Sequence, residues 1–100
     1  MMKKASFYSY HRKCGGRIAI FHEGYDDGTF YYYKSEDGWY CIDKLSGLSI
    51  LKSHCNTKAE AYEEAHSEKT RKLYSNVKEQ DWYKKAIEDF EVARTEAIMK

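Results

Sequence analysis

Imidazole and thiolate side chains are what zinc prefers as ligands, and this sequence offers them in His11-x-x-Cys14 and in the adjacent pair His54 and Cys55. The spacing argues against such a site. Neighbouring residues on an extended chain point in opposite directions, and no second tidy pair accompanies the first. The three cysteines, Cys14, Cys41 and Cys55, therefore read as packing thiols, and the histidines as loop residues. Cys55 stands just ahead of an expected helix start, where the helix dipole would favour a thiolate nucleophile. A small packing residue is the preferred account of it. Cys14-Gly15-Gly16 precedes a strand, whereas phosphate-cradling glycine loops open helices. The carboxylates Asp26 and Asp27, and Glu36 and Asp37, fall in turns, where such side chains bond the local backbone. No catalytic residue, metal site or cofactor site is assigned, and a non-enzymatic protein is expected.

Three other constellations concern binding. Residues 1–17 carry Lys3, Lys4, Arg12, Lys13 and Arg17 without an acid, interleaved with Phe7, Tyr8 and Tyr10. Basic groups beside stacking rings suit single-stranded nucleic acid. The simpler reading is a solvated strand whose lysines discourage edge pairing. The opposite sign gathers at Glu60, Glu64 and Glu68, at i, i+4 and i+8, with Glu63 beside them. Like charges at that spacing mildly oppose a helix, and an acidic stripe can imitate phosphates in a partner's basic groove. Blandly, the same acids complement a helix N-terminus, and Glu68 can pair with Lys72. Finally, Tyr31-Tyr32-Tyr33 must send rings to both faces of a sheet. If helices cover one face, Tyr31 and Tyr33, or Tyr32 with Phe30, remain as binding-surface candidates unless a further element or a second copy covers them. The partner-binding set is therefore Glu60, Glu63, Glu64, Glu68, Tyr31 and Tyr33. The nucleic-acid alternative is the basic arm.

The elements that would position these residues divide near residue 56. All six glycines lie before it, and alanine, glutamate and lysine dominate after it. Residues 16–23 alternate, Asp27-Gly28 is a hairpin signal, 29–34 is rich in strand formers, and 39–43 and 48–52 follow further glycine-bearing turns. Phe7–Tyr10 is a candidate additional strand. Thr57-Lys-Ala-Glu60 and Asn76-Val-Lys-Glu79 are capping boxes. Tyr83, Ala86, Phe90, Ala93 and Ala97 form the clearest helical stripe. The expectation is an α+β fold: an antiparallel β-meander of four strands, or five with Phe7–Tyr10, followed by two C-terminal amphipathic helices. It forms one domain over 1–100, strand-rich in 1–55 and helical in 57–100. The Tyr83, Phe90, Ala97 seam could instead face a second copy in a homodimer.

Composition bounds the rest. With 42% hydrophobic residues in 100, the chain can bury one modest core. Seventeen bases against sixteen acids leave a net charge of +1, so no global field draws the chain to nucleic acid or an anionic membrane. No stretch is apolar enough to span a bilayer, no signal peptide is evident, and the cysteine count is odd. A cytoplasmic protein without membrane attachment is expected.

Gly38-Trp-Tyr-Cys-Ile-Asp-Lys-Leu-Ser-Gly-Leu-Ser-Ile50, followed by Thr57-Lys-Ala-Glu-Ala-Tyr-Glu-Glu-Ala65, is a hairpin feeding a Thr-x-x-Glu-Ala helix. It resembles small proteins of phages and mobile elements and the hairpin-plus-helix module of HicB-type antitoxins. The antitoxin resemblance implies toxin binding, often with a separate DNA-binding region. The Pro-bearing turn common in that hairpin is missing, and no helix-turn-helix is evident after it. The phage-type resemblance implies a small inhibitor of host defence, such as an anti-CRISPR protein that binds a CRISPR effector nuclease.

Overall fold

The computed structural model describes residues 2–13, 16–51 and 54–99. Four antiparallel strands come first, in sheet order β1-β2-β3-β4: β1 (Lys3–Lys13), β2 (Gly16–Asp26), β3 (Phe30–Ser35) and β4 (Gly38–Asp43). Three helices follow, α1 (Lys58–Ala65), α2 (Glu68–Lys78) and α3 (Asp81–Met99). The α+β meander expected from the sequence is present, but its membership differs. Phe7–Tyr10 is the middle of an eleven-residue strand. Among the described residues the expected strand over 48–52 does not form, Lys52 lying outside them: Ser49 bridges Ile42 and Cys55 bridges Trp39, and the register differs by three residues between those contacts. A slip of that size prevents a continuous ladder, and the segment caps the edge of β4 piecemeal.

Helix count is the second correction, three in place of two. The helix begun at Thr57 is capped as expected, Thr57 Oγ1 accepting from Glu60 N–H and Glu60 Oε2 accepting from Asn56 N–H. It stops at Ala65 because Ser67 takes an extended conformation and caps a new helix, its Oγ accepting from Thr70 N–H. Asn76-Val-Lys-Glu79 is therefore the end of α2 and no cap, and α3 opens at Asp81.

Helices cover one face of the sheet. Phe30, Tyr32 and Cys41 pack with Ala61 and Ala65 of α1 and with Leu51, while Tyr10 and Ala19 meet Ala86, Phe90 and Ala93 of α3. The stripe of α3 thus turns toward the sheet of its own chain. Tyr83 and Phe90 of the seam that could have faced a second copy are buried there, and Ala97 is half-buried.

The other face is covered by the sheet itself. Although β2 separates β1 from β3, Phe7 stacks on Tyr31 at 4.4 Å and His22 stacks on Tyr33 at 3.9 Å. The β1–β2 hairpin must therefore curl over β3. Gly24 permits it, since a Cβ there would stand 2.0 Å from the Tyr32 carbonyl oxygen and 3.1 Å from the Phe7 ring. The roll continues until Tyr10 N–H donates to the Gly47 carbonyl at 2.8 Å, joining the first strand to the loop after the last. Tyr33, expected on an open face, is consequently buried, and Tyr31 is half-buried.

Candidate functional site

A turn and two helices converge on Asp43. Strand alternation places it with Cys41 on the helix-covered face, and β4 then turns sharply. Ser46 donates to Asp43 Oδ2 through both its N–H at 2.9 Å and its Oγ at 2.7 Å. Gly47 N–H donates to the Asp43 carbonyl at 2.9 Å. Gly47 has φ of 68°, and a Cβ there would lie 2.6 Å from the Phe90 ring, so the turn accepts only glycine without displacement. From above, α2 brings Tyr74 and α3 brings Tyr83. The Tyr83 hydroxyl donates to Asp43 Oδ2 at 2.5 Å, and the Tyr74 hydroxyl donates to Oδ1.

Asp43 and Tyr83 are each only 3% exposed. Burial, and next the bond to the Asp43 carboxylate, push the Tyr83 phenol up to about 12 and raise that of Tyr74 further. Both phenols therefore stay protonated and act as donors. Above them opens a cleft of about 200 Å³, whose lining includes Leu48, Ile50, Leu73, Val77 and Trp82. Leu73 and Trp82 are exposed at its rim. Sequence reasoning left this centre unassigned: Asp43 ended a strand, Tyr83 belonged to an apolar stripe, and Tyr74 carried no role. The signal that could have found it is an Asp followed by Ser46-Gly47, with tyrosines in place of aliphatics on later helices.

The acidic residues of the sequence reading divide between two helices. Glu60, Glu63 and Glu64 are exposed on α1, with Tyr62 44% exposed among them. Glu68 starts α2 and pairs with Lys72 at 3.5 Å, so the stripe is shorter than expected. The nearby Lys58 ammonium is spent over the Tyr25 ring at 3.8 Å. Among the described residues, Glu60, Glu63 and Glu64 form no ion pair. The Cys55 thiol is raised by burial and then by the Glu60 and Glu64 charges, the reverse of an activated thiolate. Behind α1, Asp27 accepts from Tyr32 Oη at 2.5 Å, from His66 Nε2 at 2.7 Å and from the N–H groups of Thr29 and Phe30.

On the basic arm, Lys3 and Lys4 are exposed, whereas the side chains of Arg12, Lys13 and Arg17 lie outside the described ones. Phe7 and Tyr10 are buried and Tyr8 is half-buried, leaving no run of open rings beside the lysines. Phe21, packed edge-on against Tyr8 at 5.4 Å, is 53% exposed. Of the residues weighed as zinc ligands, Cys14 lies outside the described residues, His11 Nε2 is 3.0 Å from Ser9 Oγ, and His54 faces Asp37 at 3.8 Å. Among the described residues no cluster of three or more His, Cys, Asp or Glu is disposed to hold a metal ion. No helix among them is long and apolar enough to cross a membrane.

Compared with protein-family models, with curated proteins and with solved structures, the chain matches none.

Proposed function

We propose that this is a non-enzymatic binding protein that presents the outer face of α1 to a basic, nucleic-acid-binding protein and blocks it. The observation that carries the reading is the set of exposed carboxylates on Glu60, Glu63 and Glu64, uncompensated by any described cation and flanking the open ring of Tyr62. Buried Ala61 and Ala65 clamp the opposite side of the helix to the sheet, so the acids are displayed on a rigid support. Rigid like charge steers an oppositely charged partner and pays little ordering entropy on contact. An aromatic ring among the charges is the usual kind of anchor. The resemblance of residues 38–65 to phage-type small proteins supports a host-defence effector, such as a CRISPR effector nuclease, as the partner class.

The test is Glu63→Lys/Glu64→Lys, which spares the Glu60 cap. Capture of partner from host lysate at about 0.1 M salt should drop at least tenfold, because exposed charges act over a Debye length of roughly 10 Å. Undiminished capture would remove α1 as the working surface.

A second reading, nucleic-acid binding or antitoxin-type regulation through the basic arm, draws on the exposed Lys3, Lys4 and Phe21. It requires low-salt binding to single strands that disappears in Arg12→Ala/Lys13→Ala/Arg17→Ala. Absence of binding at low salt ends it.

A further inference from the structure

Asp43 combines features that rarely coexist. Its carboxylate is buried, all its donors are neutral, and among the described residues no Lys, Arg or His forms an ion pair with it. Hydrogen bonds from hydroxyls and an amide offset desolvation but leave the net negative charge in place. The donors are also unequally shared. Ser46 N–H, Ser46 Oγ and Tyr83 Oη crowd Oδ2, while Oδ1 receives Tyr74 alone. A carboxylate offers about four acceptor positions divided between its two oxygens, so Oδ1 retains one.

The cleft of about 200 Å³ opens beside that group. Its aromatic lining is Tyr74, Tyr83 and Trp82, the last two set edge to face at 85°, and aliphatic side chains share its remaining walls with Ser46, Ser49 and Thr70. A negative floor, π-rich walls and an apolar rim are the recognition chemistry of an organic cation. The volume sets its size. A cavity of about 150 Å³ holds benzene, so this one takes a six-membered ring with a short amine-bearing arm. Among the cations near the cleft, Lys44 pairs with Asp26 at 2.7 Å, and Lys78 lies 4.9 Å over the Tyr74 ring, a wall that the cleft shares with a neighbouring hollow lined by Arg71 and Ser75. Lys85 pairs with Asp89 at 3.2 Å.

We propose that the cleft between α2, α3 and the Ser46–Ile50 loop binds a compact monocyclic primary ammonium, its N–H donating to Asp43 Oδ1 and its ring lying against Trp82. This site shares no residue with the acidic face of α1 and stands independently of the reading above.

The probe is benzylamine, protonated at neutral pH, titrated calorimetrically into the intact protein and followed by NMR. Expected are 1:1 binding with Kd of about 1 mM or tighter and a shift of the Trp82 indole N–H with Trp39 unmoved. Benzyl alcohol, matched in shape without charge, and benzoate should bind at least tenfold more weakly. Trp82→Ala, which alters a rim residue 53% exposed and should leave the fold intact, should weaken benzylamine about tenfold. Equal affinity for benzyl alcohol, undiminished affinity in Trp82→Ala, or no binding at about 10 mM would each overturn the proposal.

Discussion

Replacing Tyr83 by Phe isolates one atom of the Asp43 centre. The ring keeps its volume and its place in the α3 stripe, so no cavity term arises, and only the donor at 2.5 Å from Oδ2 is lost. A hydrogen bond to a charged acceptor contributes about 1.5–3 kcal/mol, and an acceptor left short of donors inside the protein incurs its own desolvation cost. Because Ser46 N–H and Oγ still serve the same oxygen, the expected loss lies in the lower half of that range, about 2 kcal/mol. At about 4–8 °C per kcal/mol for a domain of this size, Tm should fall by roughly 8–16 °C. Urea unfolding followed by circular dichroism should show a lower midpoint with an unchanged slope, since the buried area is the same. Tyr62→Phe, at an exposed ring, serves as control and should stay within about 0.5 kcal/mol of the parent. Repeating Tyr83→Phe in an Asp43→Asn background should yield a much smaller loss, the signature of coupled partners. A loss below about 0.5 kcal/mol in the first variant would mean that the carboxylate does not depend on this donor, and the account of a buried polar centre would be wrong.

The curl of the hairpin makes Gly24→Ala costly, because the added methyl meets the Tyr32 carbonyl where β2 and β3 pair over only Tyr25↔Tyr32 and Asp26↔Tyr31. About 3 kcal/mol should be lost in urea titration, and a loss under about 1 kcal/mol would show that the strands do not approach so closely. Ser67→Ala should cost about 1 kcal/mol and speed amide exchange in the first turn of α2, whereas unaltered exchange at Thr70 would deny the cap its role. Burial acts to raise the Asp27 carboxyl, but its Tyr32, His66 and backbone donors outweigh burial and leave it below the ordinary range. A carboxyl depressed in the folded state contributes stability that is present above about pH 4 and is lost as acid protonates it, so the acid limb of a Tm–pH profile should flatten in Asp27→Asn. An acid limb identical to the parent's would contradict that assignment.

What the sequence disclosed was local. Turns at Asp27-Gly28 and Gly38, the Thr57 cap and the α3 stripe all declare themselves within a few residues, and each is present. The β1–β2 hairpin is harder to read because each of its faces buries aromatic rings. Tyr10 and Ala19 meet α3 on one side, and Phe7 and His22 meet the tyrosines of β3 on the other, so the alternation over 16–23 marks a strand without saying which face is the core. Among the described residues after Gly47, the bridges Ile42–Ser49 and Trp39–Cys55 differ in register, so the turn and strand formers there do not yield a fifth strand. Ser67 is followed three residues on by Thr70 in place of a Glu or Gln, so its cap lacks the reciprocal half of a box. The acids of α1 were legible because helical spacing fixes neighbours. Tyr74 and Tyr83 stand 31 and 40 residues from the Asp they serve, a distance at which no spacing rule operates.

Packing of α3 against the hairpin also sets an order of events during synthesis. Tyr10 is made early, but its burial waits for Phe90 and Ala93. At translation speeds of about 5–20 residues per second, roughly 4–16 s separate the two. Over that interval the nascent hairpin displays Tyr10 and Ala19 to whatever waits at the ribosome, and only the arrival of α3 withdraws them. Shortening the chain from its C-terminal side would make that passing exposure permanent, turning a maturing ribbon into a sticky one.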